Sequence, residues 1–135
     1  MAEESVAKLL LAATRRDQQA FRVLVAMPEM NDAVIGFHAH QCIEKALKAT
    51  LAHAGIQFRR THDIAELLDL LHDSGRGPPP FSERLDELNP YAVESGYGLV
   101  EPAGLDRAAA SRMVEAVVDW AETQLAIPVE QGKRK

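Results

Sequence analysis

Cysteine is almost absent: the single Cys42 excludes an intramolecular disulfide framework and any zinc site built from several thiolates. Aromatic residues are scarce at 5%, so an interior has to be assembled from Leu, Val, Ile and Ala. No stretch approaches the roughly 18 apolar residues of a membrane span, because charges interrupt every one. The segment Met1-Ala2-Glu3-Glu4 is acidic where an export signal is basic, and the expected location is the cytoplasm. Positive charge is not in excess either. A net charge of -5 argues against a general nucleic-acid coat protein, whose affinity comes from neutralising phosphates, and leaves room only for a local basic patch. There is no glycine-rich phosphate loop, since Gly75 and Gly77 run into three prolines without the lysine that a P-loop needs.

What is present is helical periodicity. With 47% of its 135 residues hydrophobic, the chain can bury one real core. The spacing predicts helices near residues 3–26, 32–54, 63–73, 82–96 and 105–126, with no alternating strand pattern. Val6, Leu9, Leu10, Ala13, Ala20, Phe21 and Leu24 are read as the inward face of the first helix. The second carries Ile35, Ala39, Cys42, Ile43, Ala46, Leu47 and Leu51 inward, with Asn31 or Asp32 as its cap and Gly55 as its stop. In the third, Asp63 and Glu66 have capping-box spacing, Ile64, Leu67, Leu68 and Leu71 form the stripe, and Gly75 ends it. Ser82 is the expected cap of the fourth, which Pro90 kinks. Ala109, Met113, Ala116, Val117, Trp120 and Ala121 line the last. Short connections then favour an all-α, antiparallel up-and-down bundle of four to five helices over residues 1–127, followed by a polar tail, 128–135, expected to be disordered.

Two motifs go further. The segment Phe37-His-Ala-His-Gln-Cys-Ile-Glu-Lys-Ala-Leu-Lys48, followed by Arg60-Thr-His-Asp63 and Leu67-Leu68, resembles the HEPN family (higher eukaryotes and prokaryotes nucleotide-binding domains) over roughly Leu9 to Leu125. Members show a Gln-x-x-Glu-Lys-x-x-Lys helix, a Thr-His-Asp helix start and a late Tyr-x-x-x-Arg-Tyr-Pro-like element. The resemblance implies a four- or five-helix bundle, commonly a homodimer, that in bacteria often accompanies a minimal nucleotidyltransferase as the toxin half of a toxin–antitoxin pair. It also implies nucleotide or RNA as ligand, and in active toxins a ribonuclease using an Arg-x4-6-His pair. This chain departs at that pair. Gly96-Tyr97-Gly98 stands where the family has its Arg-Tyr-Pro element, so Gly96 occupies the arginine position. None of the histidines at 38, 40, 53, 62 and 72 has an arginine five to seven residues before it, and none lies beyond His72. No catalytic residue is therefore assigned. The expected function is a HEPN-like binding and regulatory module; the alternative is a ribonuclease toxin with a rebuilt site using His62 or His38 with Arg59 or Arg60.

The candidate binding residues fall in two groups. His38, Gln41, Lys45 and Lys48 share one stripe of the second helix, either a ledge of cations and an amide for a phosphate or base, or a solvated face on which Glu44 pairs with Lys48. Arg59, Arg60 and His62 flank the start of the third helix, whose amides favour an anion; the plainer reading leaves the arginines in water and gives Thr61 and Asp63 the capping. Asp17 falls within the first helix's apolar arc, where a carboxylate needs a cation such as Lys45 or a place at a dimer seam. His38 and His40, two apart on a helix, cannot share a metal, and no metal or cofactor is expected. Cys42 is read as a small buried hydrophobe, and no serine has a neighbour that would activate it. The expected dimer contacts are the Pro28–Phe37 region and the Tyr91–Val100 segment, where Tyr97, Leu99 and Val100 fit no stripe of a single bundle.

Overall fold

The computed structural model describes residues 2–93 and 104–128. Among them it is all-α: helices α1 (Ala2–Val25), α2 (Asp32–His53), α3 (Ile64–Asp73) and α4 (Arg107–Ala126), with a 3-10 helix, Leu85–Tyr91, between α3 and α4. Cross-helix pairs give the directions. Thr14 faces Cys42 while Asp17 faces His38, and Arg15 meets Glu122 while Arg22 meets Glu115, so α1 runs antiparallel to both α2 and α4. Asp32 meets Arg107 and His53 meets the Ile127 carbonyl, so α2 and α4 run parallel.

α2 is the axis of the molecule. Ile35, Ala39, Cys42, Ile43, Ala46, Leu47 and Leu51 are all buried as their spacing predicts. The burial extends round the helix, however, to His40, Glu44 and Thr50. Between residues 38 and 52 only the narrow stripe of His38, Gln41, Lys45 and Lys48 stays half-exposed, so the polar face in the pattern is much narrower than that of a surface helix. At its start the Asn31 side chain accepts from the Ala33 amide. At its end Gly55 takes φ 75°, a left-handed value open to glycine at no steric cost. α3 starts at Asp63, whose carboxylate accepts from Ala65, and Gly75 follows its end at φ 78°. Glu66 does not complete a capping box. It turns outward to Arg59, and the Asp63 amide donates to Thr61 Oγ1 instead.

Two expectations fail for physical reasons. The inward face of α1 is Ala7, Leu11, Thr14, Gln18 and Phe21; of the expected face, Phe21 is buried and Leu10 and Leu24 pack against the core, whereas Val6 and Leu9 are 44% and 70% exposed. Hydropathy misplaces this face because two of its five members are polar and satisfied: Thr14 donates to the Leu10 carbonyl and Gln18 to Glu115. The expected fourth α-helix is a short 3-10 helix without a side-chain cap; Ser82 does not cap it. Three prolines and Phe81 at φ 60° precede it, and Pro90, having no N–H, removes the bond an α-helix would need there. Residues 94–96 of that helix, the dimer candidates Tyr97, Leu99 and Val100, and tail positions 129–135 lie outside the described residues. No helix among the described residues is long and apolar enough to cross a membrane.

Candidate functional site

The α2 stripe does not face open water. It holds two networks centred on carboxylates: the half-buried Asp17, whose need for a cation the sequence already showed, and the buried Glu44, which sequence patterning left in the background. In the first, Asp17 reaches from α1 to two residues of α2: Lys45 Nζ donates to Oδ2 at 2.7 Å and His38 Nδ1 lies 3.2 Å from Oδ1. The Asp17 side chain is 14% exposed, so the cation it required is in place, and it is Lys45.

The second network is centred on Glu44, only 3% exposed. Lys48 Nζ donates to Oε2 at 2.8 Å. His62 Nδ1 lies 3.0 Å from Oε1, and the Gln41 amide approaches the same oxygen at 3.5 Å. A carboxylate only accepts, so His62 carries its proton on Nδ1 and turns Nε2 outward from a side chain 60% exposed. The reading of Lys48–Glu44 as a solvated surface pair is thereby corrected. The pair is buried because the chain leading into α3 folds over it.

Behind Glu44 stands His40, fully buried. Its Nε2 lies 3.3 Å from Asn89 Oδ1, and the Asn89 amide nitrogen donates to Asp63, so that oxygen is an acceptor and His40 Nε2 is the donor. Among the described residues His40 Nδ1 has no hydrogen-bond partner, and it sits 3.6 Å from Glu44 Oε1. Burial pushes the His40 imidazole below its ordinary pKa, against the opposing pull of Glu44. Asn89 Oδ1 also accepts the Ile64 amide, so the 3-10 helix is tied to the start of α3. One connected set of polar contacts thus joins α2, α3 and the 3-10 helix.

The structure therefore brings His38 together with Lys45, and Gln41 and Lys48 together with His62. Arg59 is drawn away: it forms a two-pronged pair with Glu66 at 2.7 and 2.8 Å. Arg60 is exposed and makes no polar contact among the described residues. Three members of the site were not singled out from sequence. His40 and Glu44 carried a readable signal, an i,i+4 pair inside the motif helix. Asn89 carried none, because only the tertiary fold brings residue 89 to residues 40 and 63. Cys42 is buried and its thiol is pushed well above its ordinary pKa by burial, which makes it inert. No cluster among the described residues could hold a metal ion.

Comparison with known proteins gives one match: the family model of the HEPN domain matches residues 7–124. No curated protein and no solved structure matches the chain.

Proposed function

The chain belongs to the HEPN family, and from that premise we propose that it is a binding and regulatory module with a degenerate ribonuclease motif, half of a toxin–antitoxin-type pair whose other half is a minimal nucleotidyltransferase. The observation that carries this reading is the engagement of its cations. Lys45 is held by Asp17, Lys48 by Glu44 and Arg59 by Glu66. A group that stabilises charge on a transferring or cleaving phosphate has to be aimed at that phosphate and not neutralised by a carboxylate. With Gly96 at the family's arginine position, no arginine replaces it from nearby in the chain. Arg60, His62 and the outer edges of Lys45 and Lys48 remain as an electrostatic contact for nucleotide, RNA or partner. The module works as a homodimer in the cytoplasm.

The purified protein is expected to cleave RNA no faster than a buffer control. Any nucleotide or RNA affinity should fall steeply with salt and weaken in Arg60→Glu. One observation favours a second reading, the ribonuclease with a rebuilt site. His62, anchored through Nδ1–H on buried Glu44 with Nε2 outward, has the arrangement of a general base held by a carboxylate. Cleavage that survives purification and vanishes in His62→Ala would establish that reading and end the first.

A further inference from the structure

Away from the Glu44 network, the chain after α3 folds back along that helix. The Gly75 amide donates to the His72 carbonyl and the Arg76 amide to the Leu71 carbonyl, starting a strap, residues 75–82, that stands off the helix surface. Between α3 and the strap lies a groove of about 570 Å³. Leu68, Leu71 and Pro79 give it an apolar floor. Asp69 from α3, and Glu83 and Asp86 from the chain after the strap, stand on its rim. All three carboxylates are exposed, and none has an ion-pair or hydrogen-bond partner among the described residues. The neighbouring Arg84 forms its ion pair with Glu87; of the three rim carboxylates only Glu83 feels its charge, and without a direct contact. Among the described residues, Arg76 and His72 are the only basic side chains of the lining.

The strap is a preset wall. Pro78, Pro79 and Pro80 fix three successive φ angles, and Phe81 holds φ 60°, a left-handed value that an aromatic residue rarely adopts. Trp120 of α4 backs the strap, its Cζ2 3.7 Å from where a Cβ on Gly77 would stand. A wall ordered before binding spares the ordering cost that a loose loop would incur.

We propose that this groove docks a basic, leucine-bearing peptide segment of a partner protein. An aliphatic side chain fills the floor, while lysines or arginines on either side meet Asp69 across the groove from Glu83 and Asp86. The same carboxylates repel RNA and acidic segments, so this face is distinct in chemistry from the Arg60–His62 edge. The proposal does not depend on whether the Glu44 site binds or cleaves RNA.

The test is an amide chemical-shift titration of the isotopically labelled full chain with a synthetic hexapeptide of four lysines and two leucines. Two control peptides replace the lysines by glutamates or the leucines by glycines. Shifts confined to residues 65–72 and 75–86 are expected, with affinity falling about tenfold or more in Glu83→Arg/Asp86→Arg and falling further as salt is raised. Both positions are exposed, so that variant should keep its helical circular dichroism. A second variant, Leu68→Ser, should weaken binding without changing its salt dependence. Shifts scattered over the surface, indifference to the charge reversal, or equal binding of the lysine–glycine peptide would overturn the proposal. So would concentration-dependent shifts of the unliganded chain at the groove, which would name a second copy as occupant. Groove shifts on removing residues 129–135 would instead name the chain's own Lys133-Arg134-Lys135 run, and would equally overturn it.

Discussion

Replacing Lys48 by methionine keeps the aliphatic stem and deletes the cation that faces a 4% exposed carboxylate at 2.8 Å. On a solvated helix face such an i,i+4 pair contributes about 0.3–0.5 kcal/mol. In a buried site, removing one partner strands the other and costs about 3–5 kcal/mol. Here His62 still donates to Glu44 at 3.0 Å, which offsets part of that cost, and the expected loss is about 2–3 kcal/mol. For a chain of this size that is a fall in Tm of about 10 °C. Denaturant unfolding at pH 7.5, followed by circular dichroism, measures it. The double variant Glu44→Gln/Lys48→Met removes both charges while leaving an acceptor for His62, and should recover to within about 1 kcal/mol of the parent. A single-variant loss below about 0.5 kcal/mol would place Glu44 in effect in water. A double variant less stable than the single would show that the two charges are not coupled. Either result refutes the buried-pair reasoning.

His40 gives a pH prediction of definite sign. Its folded-state pKa is depressed by burial, so its contribution is present above about pH 6.5, the ordinary histidine value, and is lost as pH falls through the lower folded value. The parent's stability should decline on that side of neutrality, and His40→Gln should flatten the decline in unfolding curves taken across pH 7.5 to 5; parallel profiles would contradict this. Gly36→Ala should destabilise. Its Cβ would land on the Tyr91 ring, and overpacking of about 1–3 kcal/mol outweighs the roughly 0.5–1 kcal/mol that alanine gains in a helix. Thermal unfolding that rises instead would show that the ring has room to move. The proposed dimer is tested by light scattering at micromolar concentration: twice the chain mass is expected, and a value near 14.8 kDa is incompatible with it.

The boundaries of α2 and α3 were legible because their signals are local. Asn31 and Asp63 cap through their own nearest amides, and Gly55 and Gly75 end helices by their own backbone freedom. The buried positions of α2 were legible because aliphatic side chains bury wherever a helix has a covered face. The first face of α1 was not, since Thr14 and Gln18 look outward-facing until one sees the Leu10 carbonyl and Glu115 that satisfy them. For the site, the His38–Lys48 stripe was legible as a stripe, and Asp17's need for Lys45 followed from the cost of an unpaired charge. What the stripe faced was not.

By itself, then, the amino-acid sequence determined an all-α chain, its main helices, and through two motifs its HEPN family. These depend on residue type and on spacing within about two helical turns, where the physics is that of one helix and its caps. The tertiary structure alone decided that Glu44 is an interior charge, that His62 is anchored on it, and that Asn89 closes the contact to His40 and α3. It also decided that Arg59 is paired with Glu66 and that Asp69, Glu83 and Asp86 rim one groove. Burial and pairing depend on what covers a side chain, and the covering groups come from 18 to 49 positions away in the chain. A charge on a helix face looks the same in the sequence whether water or another element lies over it; only packing removes the water, and removing the water is what turns a surface ion pair into an interior one.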